Sequence, residues 1–257
     1  MSWDALDITI LGPALLAGML VVSTHVPFGR AVLDRGIIFI DLAIAQIAGL
    51  GVIAASAFGW DPEGWGVQAA AVSAALSGAL LLHWTEKKYP EIQEAIIGVS
   101  FVMGATFGLI LLANNPHGGE HLKQLLVGQI LWVGMDQLWP IALLYAVVLA
   151  IWFGIAGANK SRITFYALFA VTVTASVQLV GVYLVFATLI IPALATRKAK
   201  GWTRLASAYL LGVVAYAVGL AMSAVMDLPS GAVIVWTLAV LGMVSGHFLA
   251  HLNKARR

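Results

Sequence analysis

The sequence predicts an all-α, polytopic helical membrane protein with about nine membrane helices, including a short hairpin at 163–196. Three observations carry this expectation. Hydrophobic residues make up 61% of the 257 residues and charged residues 10%, with a mean hydropathy of +0.95, a composition foreign to soluble domains. Apolar runs of spanning length recur along the whole chain. Finally, Ile163 to Thr196 contains no Asp, Glu, Lys or Arg. As one straight helix it would reach about 50 Å, against a hydrocarbon core of about 30 Å.

The runs fall at 8–27, 36–60, 64–84, 94–113, 138–157, 205–226 and 232–252. The start, Met1 to Asp7, is acidic where a cleavable signal needs basic residues, so none is expected. The third and fourth runs carry small residues at helical spacing, Ala70, Ala74 and Gly78, and Ser100, Gly104 and Gly108. These are expected packing seams, since close backbone contact replaces the hydrophobic drive that lipid does not supply. A short outer helix is expected over 124–133. The uncharged stretch follows, entering and returning with its turn near Gln178-Leu-Val-Gly181, and Pro192 is expected to break the return arm. Asp227-Leu-Pro-Ser-Gly231 reads as an outer turn, with Asp227 capping the last helix. Trp60, Trp65, Trp132, Trp139, Trp202 and Trp236 read as interfacial belt residues.

Charge sets the orientation. With nine spans, Arg30, Arg35, Lys87, Lys88, Lys160, Arg162, the 197–204 cluster and the C-terminal Lys254, Arg256 and Arg257 share one side. Asp4, Asp7, Asp61, Glu63, Glu120 and Asp227 take the other, with Lys123 the exception. The N-terminus is therefore expected outside and the C-terminus in the cytoplasm. Residues 1–257 read as one transmembrane domain. Cysteine is absent, which removes disulfides and thiolate chemistry. The basic residues read as topology signals, so no nucleic-acid partner is expected.

A few polar residues need a reason to be where they are. Asp41 lies inside the second run and Gln46 follows deeper. An ionisable group there costs several kcal/mol without a partner. It is either a cation-contacting point on a polar path or one end of a structural hydrogen bond. Gln129 and Gln178 sit on the outer side, where an amide lines a pore or satisfies a broken helix. His117, Glu120 and His121 have donors suited to a metal such as zinc, or are solvated residues of a glycine-containing outer loop. His25, His83, His247 and His251 fall near expected cytoplasmic helix ends, where the helix C-terminus accounts for most of them. The chain has no Gly-x4-Gly-Lys-Ser/Thr loop, no His-Glu-x-x-His and no Gly-x-Ser-x-Gly. An enzyme is not expected.

Leu179-Val-Gly-Val-Tyr-Leu-Val-Phe-Ala-Thr-Leu-Ile-Ile-Pro-Ala-Leu-Ala-Thr-Arg197 resembles the hairpin signature of the permease subunits of zinc- and manganese-importing ABC transporters. The stretch from Arg35 to Gly51 is similar to that family's second-helix motif. Leu125–Leu131 and Asp227–Gly231 fall where the family has its outer helix and last outer turn. The resemblance implies a multi-pass permease of the bacterial inner membrane that binds no cofactor itself. Its implied partners are a second permease copy, two cytoplasmic ATPase subunits that use the ATP, and an extracytoplasmic metal-binding protein. A divalent metal would be the cargo, passing between the two permeases by alternating access.

Three departures from the family pattern accompany this. Gln46 stands at the position of a path-facing His, with Asp41 one residue out of register. Gln129 replaces a frequent acid. The cytoplasmic segment before the hairpin, which docks on the ATPase in the family, is reduced to Ala158-Asn-Lys-Ser-Arg162. Docking then falls to this turn with Lys160 and Arg162, to Thr85–Gln93, or to the 197–204 loop with Arg197 and Lys198. The competing expectations are a stand-alone carrier coupled to an ion gradient through Asp41, and a non-transporting membrane scaffold.

Overall fold

A computed structural model describes residues 7–61, 64–113, 115, 118–155 and 161–255, without the side chains of His121 and of 248–255. Ten α-helices follow in order among these residues: α1 Ile8–Arg35, α2 Ile40–Ala57, α3 Trp65–Lys88, α4 Gln93–Leu112, α5 Gly118–Val127, α6 Met135–Gly154, α7 Arg162–Val180, α8 Val182–Ala195, α9 Gly201–Met226 and α10 Ser230–Ala255. Short 3-10 turns at Pro90–Ile92 and Ile130–Trp132 complete the described structure, which holds no strand. Eight of these helical segments are long and apolar enough to cross a membrane. The ninth expected segment, α8, has 14 residues, a reach of about 21 Å that falls short of a full crossing.

The uncharged stretch is not one rod. It breaks at a single residue, Gly181, whose φ of 79° and ψ of 162° lie where residues with a Cβ are rarely found. Several local expectations need correction. α1 runs through Pro27 to Arg35, so His25 is an interior residue of that helix rather than an end residue. α8 continues past Pro192, and the Thr196 hydroxyl donates to the Pro192 carbonyl at 2.8 Å. Asp227 does not cap α10. It is the left-handed C-terminal residue of α9, with φ 53°, and its N–H points to the Ser223 carbonyl. Gly118 to His121 form the first turn of α5, not a loop. At the other end of the chain, the Asp7 carboxylate accepts from the Thr9 N–H and hydroxyl at 2.8 and 2.7 Å. These bonds hold its carboxyl below the usual carboxylate range.

The helices fall into two compact units. The first comprises Met1–Arg35, Val127–Ala146 and Leu179–Arg257. Here α1 packs on α8 and α9, and α10 packs on the same two helices. Small residues make this possible: a Cβ on Gly18 would strike the Tyr216 ring, and one on Gly29 the Leu189 carbonyl. The Tyr216 hydroxyl, on α9, lies 2.8 Å from that of Thr188 on α8. Tyr209 donates to the Ser23 carbonyl at 2.9 Å, and Arg204 meets Asp34 at 3.1 Å.

The second unit comprises Gly36–Leu126 and Val147–Gln178. Its centre is α2, packed between α3 and α4. The α4 seam forms as expected: a Cβ on Gly104 would lie 3.0 Å from Gln46 Cβ, and Gly108 faces Leu50 and Ile53. The α3 seam forms in part: Gly78 packs on Ile47, and the backbone of Ala70 and Ala71 meets Gly51. Ala71, Ala75 and Gly78 are the buried positions, while Ala70 and Ala74 are only half-buried. The six belt tryptophans are all exposed.

Candidate functional site: an amide-lined cavity in the second unit

The second unit holds a cavity of about 300 Å³. Four helices supply its polar wall: Ser56 from the last turn of α2, Gln68 from the first turns of α3, Gln124 from α5 and Gln178 from the end of α7. Asn115 joins them. Apolar side chains such as Val52, Ile53 and Leu125 fill the rest, and Leu125 closes on the bare face of Gly49. Local chemistry explains the position of the amides. Each lies near a helix end, where polar side chains reach either water or the cavity, while the span centres are kept apolar.

Among the described residues no charged side chain is in this wall. Carboxamides offer both a carbonyl acceptor and N–H donors. At roughly 30 Å³ per water, the volume corresponds to about ten waters, far more than a bare metal ion fills. The chemistry suits an ion that keeps part of its hydration shell, or an ion already wrapped in oxygen ligands. Gln46 lies one turn below Gly49 on the same face of α2 and is 4% exposed.

Asp41 does not line the cavity. It sits in the first turn of α2, 1% exposed. The backbone N–H groups of Leu42 and Asp41 itself face its carboxylate, and no side chain donates to it among the described residues. The like charge of Glu94 acts on it, and Glu94 itself accepts from the Phe39 N–H at 3.2 Å. Two carboxylates thus gather at the positive N-terminal end of α2. The role of Glu94 was not visible in the sequence, since it stands at the end of a run like any interfacial acid.

The other expected residues scatter. Gln129 is exposed in the first unit, beside Gly128, whereas Gln178 belongs to the second. His117 and Lys160 lie outside the described residues. Glu120 is exposed on α5, and His121 is in the same helix. Among the described residues no group of three or more His, Asp or Glu is placed to hold a metal. Arg162 opens α7 and faces Glu86 of α3 at 3.9 Å. Arg197 and Lys198 follow α8 and are exposed. His25 is fully buried, its Nδ1 2.9 Å from the Val21 carbonyl and 3.1 Å from Thr24 Oγ1, which gives it a structural place. Gln68, Gln124 and Ser56 escaped the sequence reading. Their one sequence signal is an uncharged amide or hydroxyl within a turn or two of an outer helix end, which ordinary surface residues share.

Similarity to other proteins narrows the possibilities. The model of the ABC 3 transport family matches residues 7–156 and 154–248. An uncharacterized membrane protein of Synechocystis sp. is 30% identical over 94% of this chain and 92% of its own length. A probable iron transport system membrane protein of Haemophilus influenzae is 27% identical over 67% of this chain and 68% of its own. Among solved structures, PsaBC from Streptococcus pneumoniae in complex with Fab aligns over 95% of both chains with a TM-score of 0.73 at 21% identity, a likeness of fold. The family match, the wholly helical multi-pass architecture and the broken uncharged segment agree: this chain belongs to the ABC 3 transport family, as a membrane permease.

Proposed function

We propose that the chain is the permease subunit of an ATP-driven importer for a divalent metal ion, and that the amide-lined cavity receives the ion on its way to Gln46. The observation that carries this reading is the wall itself: Gln68, Gln124 and Gln178 converge from three helices on one cavity in a family of transport proteins. Neutral oxygen donors suit a hard ion. They favour manganese over zinc, which prefers imidazole and thiolate, and the iron transport named for the Haemophilus relative lies in the same range. ATP would be bound and hydrolysed by cytoplasmic partner subunits, with an extracytoplasmic binding protein delivering the ion and a second permease copy completing the path. The basic helix ends would face the cytoplasm of a bacterial inner membrane, with the N-terminus outside and the C-terminus inside. Docking of the ATPase falls to the 158–162 turn together with Thr85–Gln93. The Arg162–Glu86 pair supports this by tying the start of α7 to the end of α3.

The test is uptake of radioactive manganese by proteoliposomes holding the permease with its candidate ATPase and binding protein. Uptake is expected to need ATP and both partners, and to fall at least tenfold in a Gln124→Leu/Gln178→Leu variant that still purifies as folded protein. Asp41, a carboxylate buried inside a span, favours one second reading, a carrier driven by an ion gradient. Manganese uptake by the permease alone, indifferent to ATP, would establish the carrier and sink the importer. Full uptake by the double variant would remove the cavity from the path.

A further inference from the structure

We infer that the cleft between α8 and α10 binds an anionic phospholipid, its phosphate held by Arg197 and Lys198 and an acyl chain lying in the groove beneath. The inference rests on the orientation proposed above, which puts these helix ends in the cytoplasmic leaflet. The cleft belongs wholly to the first unit and has a volume of about 410 Å³.

Its walls divide sharply by chemistry. Ile191, Leu194 and Ala195 line it from α8, and Ala239, Gly242 and Met243 from α10. Gly242 forms the floor, where α10 packs tightly on α8: a Cβ there would come within 2.7 Å of Ile191 Cγ2. Leu194 and Met243 are exposed at 42% and 68%, as the flanks of a groove open to hydrocarbon would be. Arg197 and Lys198 stand three and four residues beyond Leu194 and form the polar end of the same wall. Among the described residues no acid lines the cleft. An apolar trough ending in two cations matches a molecule with a hydrocarbon tail and an anionic head, and basic clefts between helices on the cytoplasmic side have that use in membrane proteins.

The other occupants fit less well. A two-fold interface between copies through this face would set two Arg197–Lys198 pairs against each other, since such an interface opposes a patch to itself. A soluble ATPase reaches the cations but not a groove that runs into the hydrocarbon.

The experiment uses the full chain, delipidated in a neutral detergent. It is offered phosphatidylglycerol or phosphatidylcholine in mixed micelles, and retained lipid is counted by native mass spectrometry. Wild type is expected to retain phosphatidylglycerol at least fivefold over phosphatidylcholine. Arg197→Gln/Lys198→Gln should bring that preference within twofold. Gly242→Leu, which displaces Ile191 at the floor of the groove and keeps both cations, should lower retention of both lipids. The double variant changes exposed residues only, so it keeps the test alive if Gly242→Leu fails to fold. Equal retention of the two lipids by wild type, or an unchanged preference in the double variant, overturns the inference. So does displacement of phosphatidylglycerol by inorganic phosphate, which would mark an anion site with no tail, and so does a disulfide between copies of Met243→Cys, which would put a second copy in the cleft. Reagent access to a cysteine at 197 is measured separately, so a wrong orientation and a missing lipid site give different results.

Discussion

Gly181 is the residue on which the uncharged segment depends, and replacing it with alanine has a calculable cost. Its φ of 79° and ψ of 162° fall in a region open almost solely to glycine, where another residue costs about 1–3 kcal/mol. There is also no space. A Cβ would strike Gly128 N and the Val127 carbonyl carbon and lie 2.8 Å from Gly128 Cα. These are backbone atoms, so no rotamer change relieves the contact. The approach is mutual, because a Cβ on Gly128 would strike the Val180 carbonyl. Overpacking of this kind adds about 1–3 kcal/mol. The sum for Gly181→Ala is about 2–6 kcal/mol. At about 2–4 °C per kcal/mol for a chain of this size, the melting midpoint should fall by roughly 4–24 °C. The assay is thermal unfolding of purified protein in one detergent. Gly98→Ala is the control: Gly98 lies in α4, and a Cβ added there would meet nothing within 4 Å. Alanine at that position should leave stability unchanged or raise it by up to about 1 kcal/mol. A Gly181→Ala protein melting within about 2 °C of wild type would refute the reasoning, since neither the strained backbone nor the close approach to Gly128 would then be real.

The remaining expectations are smaller or local. Tyr216→Phe removes one buried hydroxyl pair, while Thr188 keeps its 2.7 Å bond to the Leu184 carbonyl; chemical or thermal unfolding should show a loss of about 0.5–1.5 kcal/mol. Asp41→Asn should lower manganese uptake far more than it lowers folded yield, and equal losses in both would make Asp41 structural. A cysteine at Arg197 or Lys198 should resist an impermeant thiol reagent in intact cells and react once the membrane is opened. Labelling in intact cells would contradict the nine-span orientation. Asp34→Asn breaks the Arg204 contact at an exposed position, and unfolding should register a change within about 1 kcal/mol.

The membrane helices were legible because the physics that places them acts on long averages. A span needs many apolar residues in a row, and one misplaced residue does not erase the signal. The same holds for the broken segment. Its length, set against the bilayer and its basic flanks, demanded an interruption, and Gly181 lies at the end of the expected turn. Single-residue effects were harder to read. Pro192 looks like a break, yet α8 runs through it, as α1 does through Pro27, because a proline removes one N–H donor and the packing of the helix holds the rest. Asp227 reads equally well as the cap of the helix after it or the left-handed end of the helix before it, and only the backbone angle decides.

The candidate site was legible in part for a related reason. Asp41 and Gln46 stood out because polar groups inside a span are costly and therefore rare. Gln68 and Gln124 did not stand out, because a carboxamide near a helix end costs almost nothing whether or not it lines a cavity. What gives them significance is convergence: α3, α5 and α7 bring three amides to one wall from positions far apart in the chain. Convergence is a property of the packing, and on α3 only Gly78 of the three expected seam residues is fully buried, with Ala71 and Ala75 taking the other buried places. Which residues of α3 meet the other helices is thus decided by the shapes of its neighbours, and the spacing of its small residues does not reveal that Gln68 joins Gln124 and Gln178.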